Sequence, residues 1–268
     1  MSLVRVGTLA DGVAHVELDD PARYNALSSS MVTELRTAVA DLKADRSARV
    51  VVLSGAGKGF CSGANLAGDD ERPPEAQDRG PVGLVQAMQE HLAELMLAVH
   101  ELPQPVIAAV SGAAVGGGLA LALAADLRIA STDAFFASHF IRVGLSSADV
   151  GTSYTLPRLV GPTMAAELML TGRRFGAEEA LRIGLLNRAV ERAQLLAEAT
   201  ALAEEITANS EYGVLMTKIG LWANLDAPSL RHAMQLENRT QVLGTFTGNM
   251  AEAAQAFREK RAPEWRPM

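Results

Sequence analysis

Between residues 102 and 125 the chain carries no charged side chain, and that stretch limits what it can fold into more than any other. A membrane-spanning helix needs only ~20 apolar residues, so length alone allows one. Pro103, Pro105, four glycines and the flanking Asp126 oppose it, because proline and glycine interrupt a continuous helix. The pattern divides better into a β-branched strand, "PVIAAV", a turn, "SGAAVGGG", and a short buried helix, "LALALAA". With 49% hydrophobic residues over 268, the chain has enough apolar surface for a sizeable core, either as one large domain or as a core with an appendage.

Around this centre, strands and helices alternate. Residues 4–9 and 13–18 read as strands joined by the hairpin signal "ADG". The segment "NALSSSMVTELRTAVADLKAD" puts Met31, Leu35, Ala38, Val39 and Leu42 on one helical face, behind a serine-rich start suited to N-capping. "RVVVLSG" is the next strand. Residues 68–83, "GDDERPPEAQDRGPVG", are charged and proline-rich and read as a mobile loop, with a helix over 84–102 after it. "DLRIAST", "AFFAS" and "IRVGL" continue the strand pattern towards residue 190, in units of about 50 residues, long enough for a stacked strand–helix repeat. From residue 191 the pattern is helical almost throughout, and Met216, Leu221, Trp222 and Leu236 need burial against the core or another subunit. The expected division is a core over 1–190 and a helical region over 191–268.

Charge and cysteine content narrow the partners. Lys and Arg number 24 against 31 Asp and Glu, a formal net charge of -7 with no basic block, which argues against nucleic acid. An anionic ligand must therefore be met by a few placed groups. Cys61 is the sole cysteine and forms no internal disulfide, and "MSLVRVGTLADG" lacks the apolar run of a signal peptide, so a cytoplasmic location is the default expectation. His15, His91, His100 and His232 lack metal-ligand spacing with cysteine or carboxylate, and no metal is expected.

Two strand ends run into glycines. The first, "SGAGKGFCSGANL", fails as a nucleotide loop: Val52 and Gly59 stand where a P-loop needs glycine and a hydroxyl residue, and Phe60 takes the last glycine of a dinucleotide fingerprint. It reads either as a tight turn over a buried Cys61, or as a place where Gly63 and Ala64 let a ligand approach bare backbone. The second, "GGGLALALAAD", opens a helix, whose free N–H groups and positive dipole end attract negative charge. Those glycines also suit close packing alone. Taken together, two such sites allow two backbone donors to converge as an oxyanion hole, which stabilises charge developing on a carbonyl oxygen.

"RYNALSSSM", "VVLSGAGKGFCSGANL", "PVIAAVSGAAVGGGLALALAADLRIA", "VGLSSADVGTSYTLPRLVG", "TGRRFGAEEALRIGLLNRAV" and "AFREKRAPEWRP", in this order over nearly the whole chain, resemble the crotonase superfamily of enoyl-CoA hydratases and isomerases. The resemblance implies an α/β fold, a spiral of ββα units ending in a helical trimerisation region, with a homotrimer or a dimer of trimers as the assembly. It implies an acyl-CoA substrate and no cofactor beyond the CoA moiety. It assigns the thioester oxygen to the N–H groups of Ala64 and Gly117. Arg23, Ala26, Leu27, Asn65 and Leu66 are implied to line the CoA groove, and Phe257 and Lys260, three apart on the last helix, to reach a neighbouring subunit's CoA.

The departures from the family decide what chemistry remains. Typical hydratases carry a glutamate just after the glycines and another further on; here these positions are Ala120 and Phe140. Neither side chain moves a proton, and a missing general acid or base costs ~10²–10⁴ in rate. Asp149, in "GLSSADVG", stands at the level of an aspartate that many family isomerases carry in "GL-x-PD-x-G", with one additional residue after Leu145. Two readings of it stay open: a proton shuttle between C2 and C4 of a 3-enoyl-CoA, or an N-cap for the helix starting near Thr152. His139, beside the second missing glutamate, reads as a core histidine. The expected activity is enoyl-CoA isomerisation in preference to hydration. The alternatives are a hydratase with a non-standard acid/base, an acyl-CoA-binding member without turnover, and thioester hydrolysis or decarboxylation at the same oxyanion site.

Overall fold

The structure, a computed structural model, describes residues 2–65, 72, 73, 76 and 79–268. Much of the expected loop over 68–83, and Leu66 with it, lies outside the described residues. Strands β1 (Val4–Ala10) and β2 (Val13–Leu18) form the expected hairpin. β2 then pairs in parallel with β3 (Val50–Gly55), and parallel pairing continues through β4 (Val106–Val110), β6 (Leu127–Ser131) and β9 (Arg188–Val190). A smaller sheet joins β5 (Ala113–Val115), β7 (Phe135–Ala137) and β8 (Phe175–Gly176). After β4 and again after β6, the chain leaves the large sheet, adds a short strand to the small one and runs into helical turns. This is the repeated step of a spiral.

The large sheet is apolar on both faces, which is why β3 and β4 read as unbroken hydrophobic runs. Val51, Leu53, Val106, Ala108 and Val110 face the main core, with α1 (Ser29–Ala44), α2 (Pro81–His100) and the fully buried α3 (Gly117–Ala124). The five predicted core residues of α1 are buried, and the Ser28 hydroxyl caps the helix by accepting the Met31 N–H. Val50, Val52, Ile107 and Ala109 point the other way, onto Leu195, Ala199 and Ala203 of α7 (Leu195–Thr207). Spaced at i, i+4 and i+8, these three residues make one stripe. Packing thus carries α7 into the core, although the strands end at Val190.

Three local expectations change. "IRVGL" is no strand: residues His139–Val143 form a 3₁₀ turn closed by the left-handed Gly144, and Leu145 N–H returns to the Phe140 carbonyl. β-branched residues do not make a strand without a neighbouring strand to pair with. "SGAAVGGG" is more than a turn, because Ala113–Val115 pair with β7. α2 starts at Pro81, inside the expected loop, with proline in the first turn, where its missing N–H costs nothing.

Beyond α4 (Thr152–Val160), α5 (Pro162–Thr171) and α6 (Ala177–Arg182), the chain ends in α8 (Glu211–Leu225), α9 (Leu230–Thr245) and α10 (Asn249–Glu259). Glu178 and Glu179 open α6 as expected for its dipole. α8 is anchored by a buried ion pair: Lys218 Nζ lies 2.7 Å from Asp126 Oδ2, the Trp222 indole donates to Asp126 Oδ1 at 2.7 Å, and Val106 N–H donates to Oδ2 at 2.8 Å. Burial pushes the Lys218 ammonium down, against the opposing pull of Asp126. Leu221, expected to be buried, is 57% exposed, on a helical face left open in the single chain. Glu237 of α9 accepts the Asn224 amide of α8 at 3.2 Å.

Candidate active site

The three glycines of the opening run have three different reasons to be glycine. Gly116 adopts φ 53°, ψ -118°, a conformation closed to side-chain-bearing residues. A Cβ on Gly117 would lie 3.1 Å from Leu27 Cδ1, and one on Gly118 would lie 2.1 Å from the Cys61 carbonyl oxygen. Close approach of backbone to backbone is therefore built into the start of α3. Gly63 completes it from the other strand end: at φ 94°, its Cβ would meet the Val115 carbonyl at 2.6 Å and Gly117 N at 3.2 Å.

Two parallel bridges hold the segment that carries Ala64. Cys61 N–H donates to Ala113 O at 2.9 Å and Val115 N–H to Cys61 O at 3.1 Å, while Leu27 N–H donates to Gly63 O at 2.8 Å. As a result Ala64 N lies 3.6 Å from the point where a Gly117 Cβ would stand. Among the described residues neither the Ala64 nor the Gly117 N–H finds a backbone acceptor, and Gly117 is the first residue of α3, where helix donors are free by construction. Both predicted donors come together. Cys61 itself is buried, and burial pushes its thiol up to about 12, so it is no nucleophile.

Ala26 and Leu27 are buried beside this pair, Arg23 and Ala64 are exposed, and Asn65 is half-buried. A residue that sequence reasoning passed over fixes their position. Asn25, fully buried at φ 55°, donates from Nδ2 to the carbonyls of Ala56, Gly59 and Phe60, and accepts the Asp20 N–H at 2.9 Å. Asparagine tolerates the left-handed region and has both a donor and an acceptor to spend. Its place inside "RYNALSSSM" was the only available signal.

Ala120 and Phe140 are both buried, at 3% and 7% exposure, and the Phe140 ring abuts Gly116. The helix start is thus bordered by apolar groups at the two positions where hydratases of the resembled family hold carboxylates. His139 is half-buried, with Nδ1 3.3 Å from the Gly172 carbonyl.

Asp149 does not cap α4. Gly151 holds the N-cap position with no side-chain bond, and it is the Asp149 carbonyl, not its carboxylate, that accepts the Thr152 N–H. The half-buried carboxylate takes the Val150 N–H at 2.8 Å and the Gln89 amide of α2, both on Oδ1. α2 and α4 both pack against α3, so Asp149 joins two of the walls around the glycine-opened helix. An open cavity of about 600 Å³ lies along Pro81, Val82, Val85, Gln86 and Gln89.

Lys260 is not on the face of α10 with Phe257. The helix ends at Glu259, and Lys260 turns into the left-handed region at φ 55°. Phe257 is 85% exposed. A cavity of about 740 Å³ lies between α8, α9 and α10 and involves neither Ala64 nor Gly117. Among the described residues no three His, Cys, Asp or Glu side chains cluster as metal ligands, and no helix is long and apolar enough to cross a membrane.

Residues 8–267 match the family described as enoyl-CoA hydratase/isomerase. The chain belongs to that family. A probable enoyl-CoA hydratase of Mycobacterium bovis is 43% identical over 264 residues, 98% of this chain and 92% of the relative. The crystal structure of a probable enoyl-CoA hydratase/isomerase from Mycobacterium abscessus superposes with a TM-score of 0.93 at 41% identity, covering 99% of each chain. A monofunctional enoyl-CoA isomerase from M. smegmatis, 40% identical, superposes with a TM-score of 0.74 over 88% of this chain and 99% of its own. The protein is thus an enzyme of the hydratase/isomerase family with the crotonase-like fold.

Proposed function

We propose that this family member shifts the double bond of a 3-enoyl-CoA to the 2-position, using one carboxylate and two backbone donors. The observation that carries the reading is the chemistry around α3: apolar Ala120 and Phe140 at two positions that could have held carboxylates, and Asp149, free of capping duty, where α2 meets the start of α4. Asp149 takes a proton from C2, and the electron pair moves into a dienolate whose oxygen is held by the Ala64 and Gly117 N–H groups. The same proton is returned to C4, which leaves the conjugated 2-enoyl thioester. One base suffices, because the proton removed is the proton delivered. Hydration needs water activated and the α-carbon protonated as well, for which Ala120 and Phe140 supply nothing.

In this reading Arg23, Ala26, Leu27, Asn65 and Leu66 line the CoA groove, and the α2 face along Val82 and Val85 borders the acyl chain. The open face of α8 to α10, with Leu221 and Phe257 exposed, suits a trimer or a dimer of trimers in which Phe257 and Lys260 serve a neighbour's CoA. The core over 1–190 then carries the chemistry and the region over 191–268 the assembly. No group beyond the substrate's own CoA is required.

The test follows the absorbance of the conjugated thioester with 3-enoyl-CoA and, separately, with 2-enoyl-CoA. Rising signal in the first assay supports isomerisation; falling signal in the second alone supports the hydratase reading, which the hydratase-named M. bovis relative favours. Asp149→Asn is expected to lower isomerisation by ~10²–10⁴ with CoA-ester binding retained. Unchanged turnover in that variant removes Asp149 from the mechanism.

A further inference from the structure

We infer that Gln89 is a positioning residue that aims the Asp149 carboxylate by occupying one of its two oxygens. The inference rests on Asp149 acting as the base. Oδ1 receives both the Gln89 amide and the Val150 N–H, while Oδ2 accepts no hydrogen bond among the described residues. A carboxylate is acceptor-only when ionised, so two donors on one oxygen leave the other as the atom open to a substrate proton. The arrangement also fixes the plane of the group, which a single donor does not.

Gln89 is well placed for this role. It follows Val82, Val85 and Gln86 at helical spacings of seven, four and three, so all four share one face of α2, and all four line the same open cavity. The amide therefore meets the carboxylate where an acyl chain lying along that face would reach it. In the free enzyme Gln89 is exposed, and a substrate seated there takes the hydrogen bond out of water, where a bond to a charged group counts most. The other donor is held under strain. Val150 is β-branched, 8% exposed and at φ 38°, in a region such residues avoid. Strain of this kind persists where the surroundings over-determine the backbone, so the segment whose N–H meets Oδ1 is held in place.

The experiment is a double-mutant cycle on the isomerisation assay, with Gln89→Met, Asp149→Asn and the double variant beside the wild type. Methionine keeps the length of the side chain and loses both N–H donors. The expected result is a fall of about tenfold in kcat for Gln89→Met, the scale of one lost bond to a charged acceptor, with KM changed less than about threefold. In the Asp149→Asn background the same substitution is expected to cost nothing further, because its effect passes through the carboxylate. Equal losses in both backgrounds, or an unchanged kcat in Gln89→Met while Asp149→Asn is crippled, overturn the role of Gln89 and leave the proposed function standing. Full activity in Asp149→Asn, or no isomerisation by the wild type, overturns both together.

Discussion

The proposed oxyanion half of the site and the proposed proton half are held in different ways. Ala64 and Gly117 are placed by backbone meeting backbone: Gly63 under the Val115 carbonyl, Gly118 against the Cys61 carbonyl, and Leu27 hydrogen-bonded to Gly63. Asp149 is placed by one exposed amide and by the N–H of a left-handed Val150, on a segment outside the regular elements. The first half is backed by close-packed interior at Leu27, Cys61, Gly63, Gly117 and Gly118, where nothing moves by a few tenths of an ångström without a cost. The second sits at the rim, where single side chains can be exchanged. The contrast teaches that, in the proposed site, the two donors are fixed by the backbone of the fold, whereas Asp149 is held by contacts that single substitutions can remove.

The interior half breaks most severely at Gly118. Alanine normally improves a helix by about 0.5–1 kcal/mol over glycine, and Gly118 has ordinary helical backbone. Here the added methyl would stand 2.1 Å from the Cys61 carbonyl and 2.9 Å from its Cβ, so the strand end or the helix has to shift. Gly118→Ala is expected to destabilise by about 3 kcal/mol, the upper range for overpacking, and to abolish turnover by separating the two donors. Denaturant unfolding checks the sign. A variant as stable as the wild type would show that the two halves are equally adaptable.

A smaller test acts within the Asp149 half, at Val150. Replacing a buried valine by glycine usually costs more than replacing it by alanine. With φ at 38°, alanine keeps the left-handed penalty of about 1–2 kcal/mol while glycine removes it. Val150→Gly is therefore expected to be the more stable of the two by about 1 kcal/mol in thermal or chemical unfolding. It is also expected to be the less active, since relaxing the backbone frees the N–H that holds Asp149. The ordinary order, alanine above glycine, would mean that Val150 is not strained and that the rim is no different from the interior.

What the chain discloses before folding follows the same division. Periodicity marked α1, its Ser28 cap and the apolar runs of β3 and β4, because local pattern and burial agree there. The two glycine sites were legible because Gly63, Gly116 and Gly118 meet a left-handed backbone or a carbonyl at contact distance, which a side chain does not tolerate. Asn25 was not, since its Nδ2 reaches carbonyls 31 to 35 positions away. Gln89 was not, because its partner lies 60 positions away with no motif joining them. The helical pattern past residue 191 did not say that the large sheet covers Leu195, Ala199 and Ala203 of α7, which only packing shows. Lys260 was misplaced by assuming that the helix continued, whereas the chain turns left-handed there.

The smallest expected effect lies farthest out on the rim, in the C-terminal tail. Glu252 of α10 accepts Arg261 on both oxygens, at 2.6 and 3.3 Å, together with the Glu264 N–H at 2.8 Å. The Arg261 hydrogen bond, then the Glu264 N–H, holds its carboxyl well below the usual range, at about 2 against an ordinary 4.5. A carboxyl whose folded pKa is depressed contributes stability that is present above its unfolded pKa and is lost as pH falls through the folded one. The tail clamp is therefore intact above about pH 4.5 and lost by about pH 2, and salt weakens it, since exposed pairs are screened. Trp265, whose indole donates to the Ala208 carbonyl at 2.7 Å, reports the tail once Trp222→Phe removes the other indole. Its fluorescence is expected to change within that window before the far-ultraviolet dichroism does, and at higher pH in Arg261→Gln, where the depressing partner is gone. If tail and core report one coincident transition, the rim is no looser than the interior. If the tail moves alone, as a tether of side-chain bonds predicts, the contrast drawn at Asp149 extends to the end of the chain.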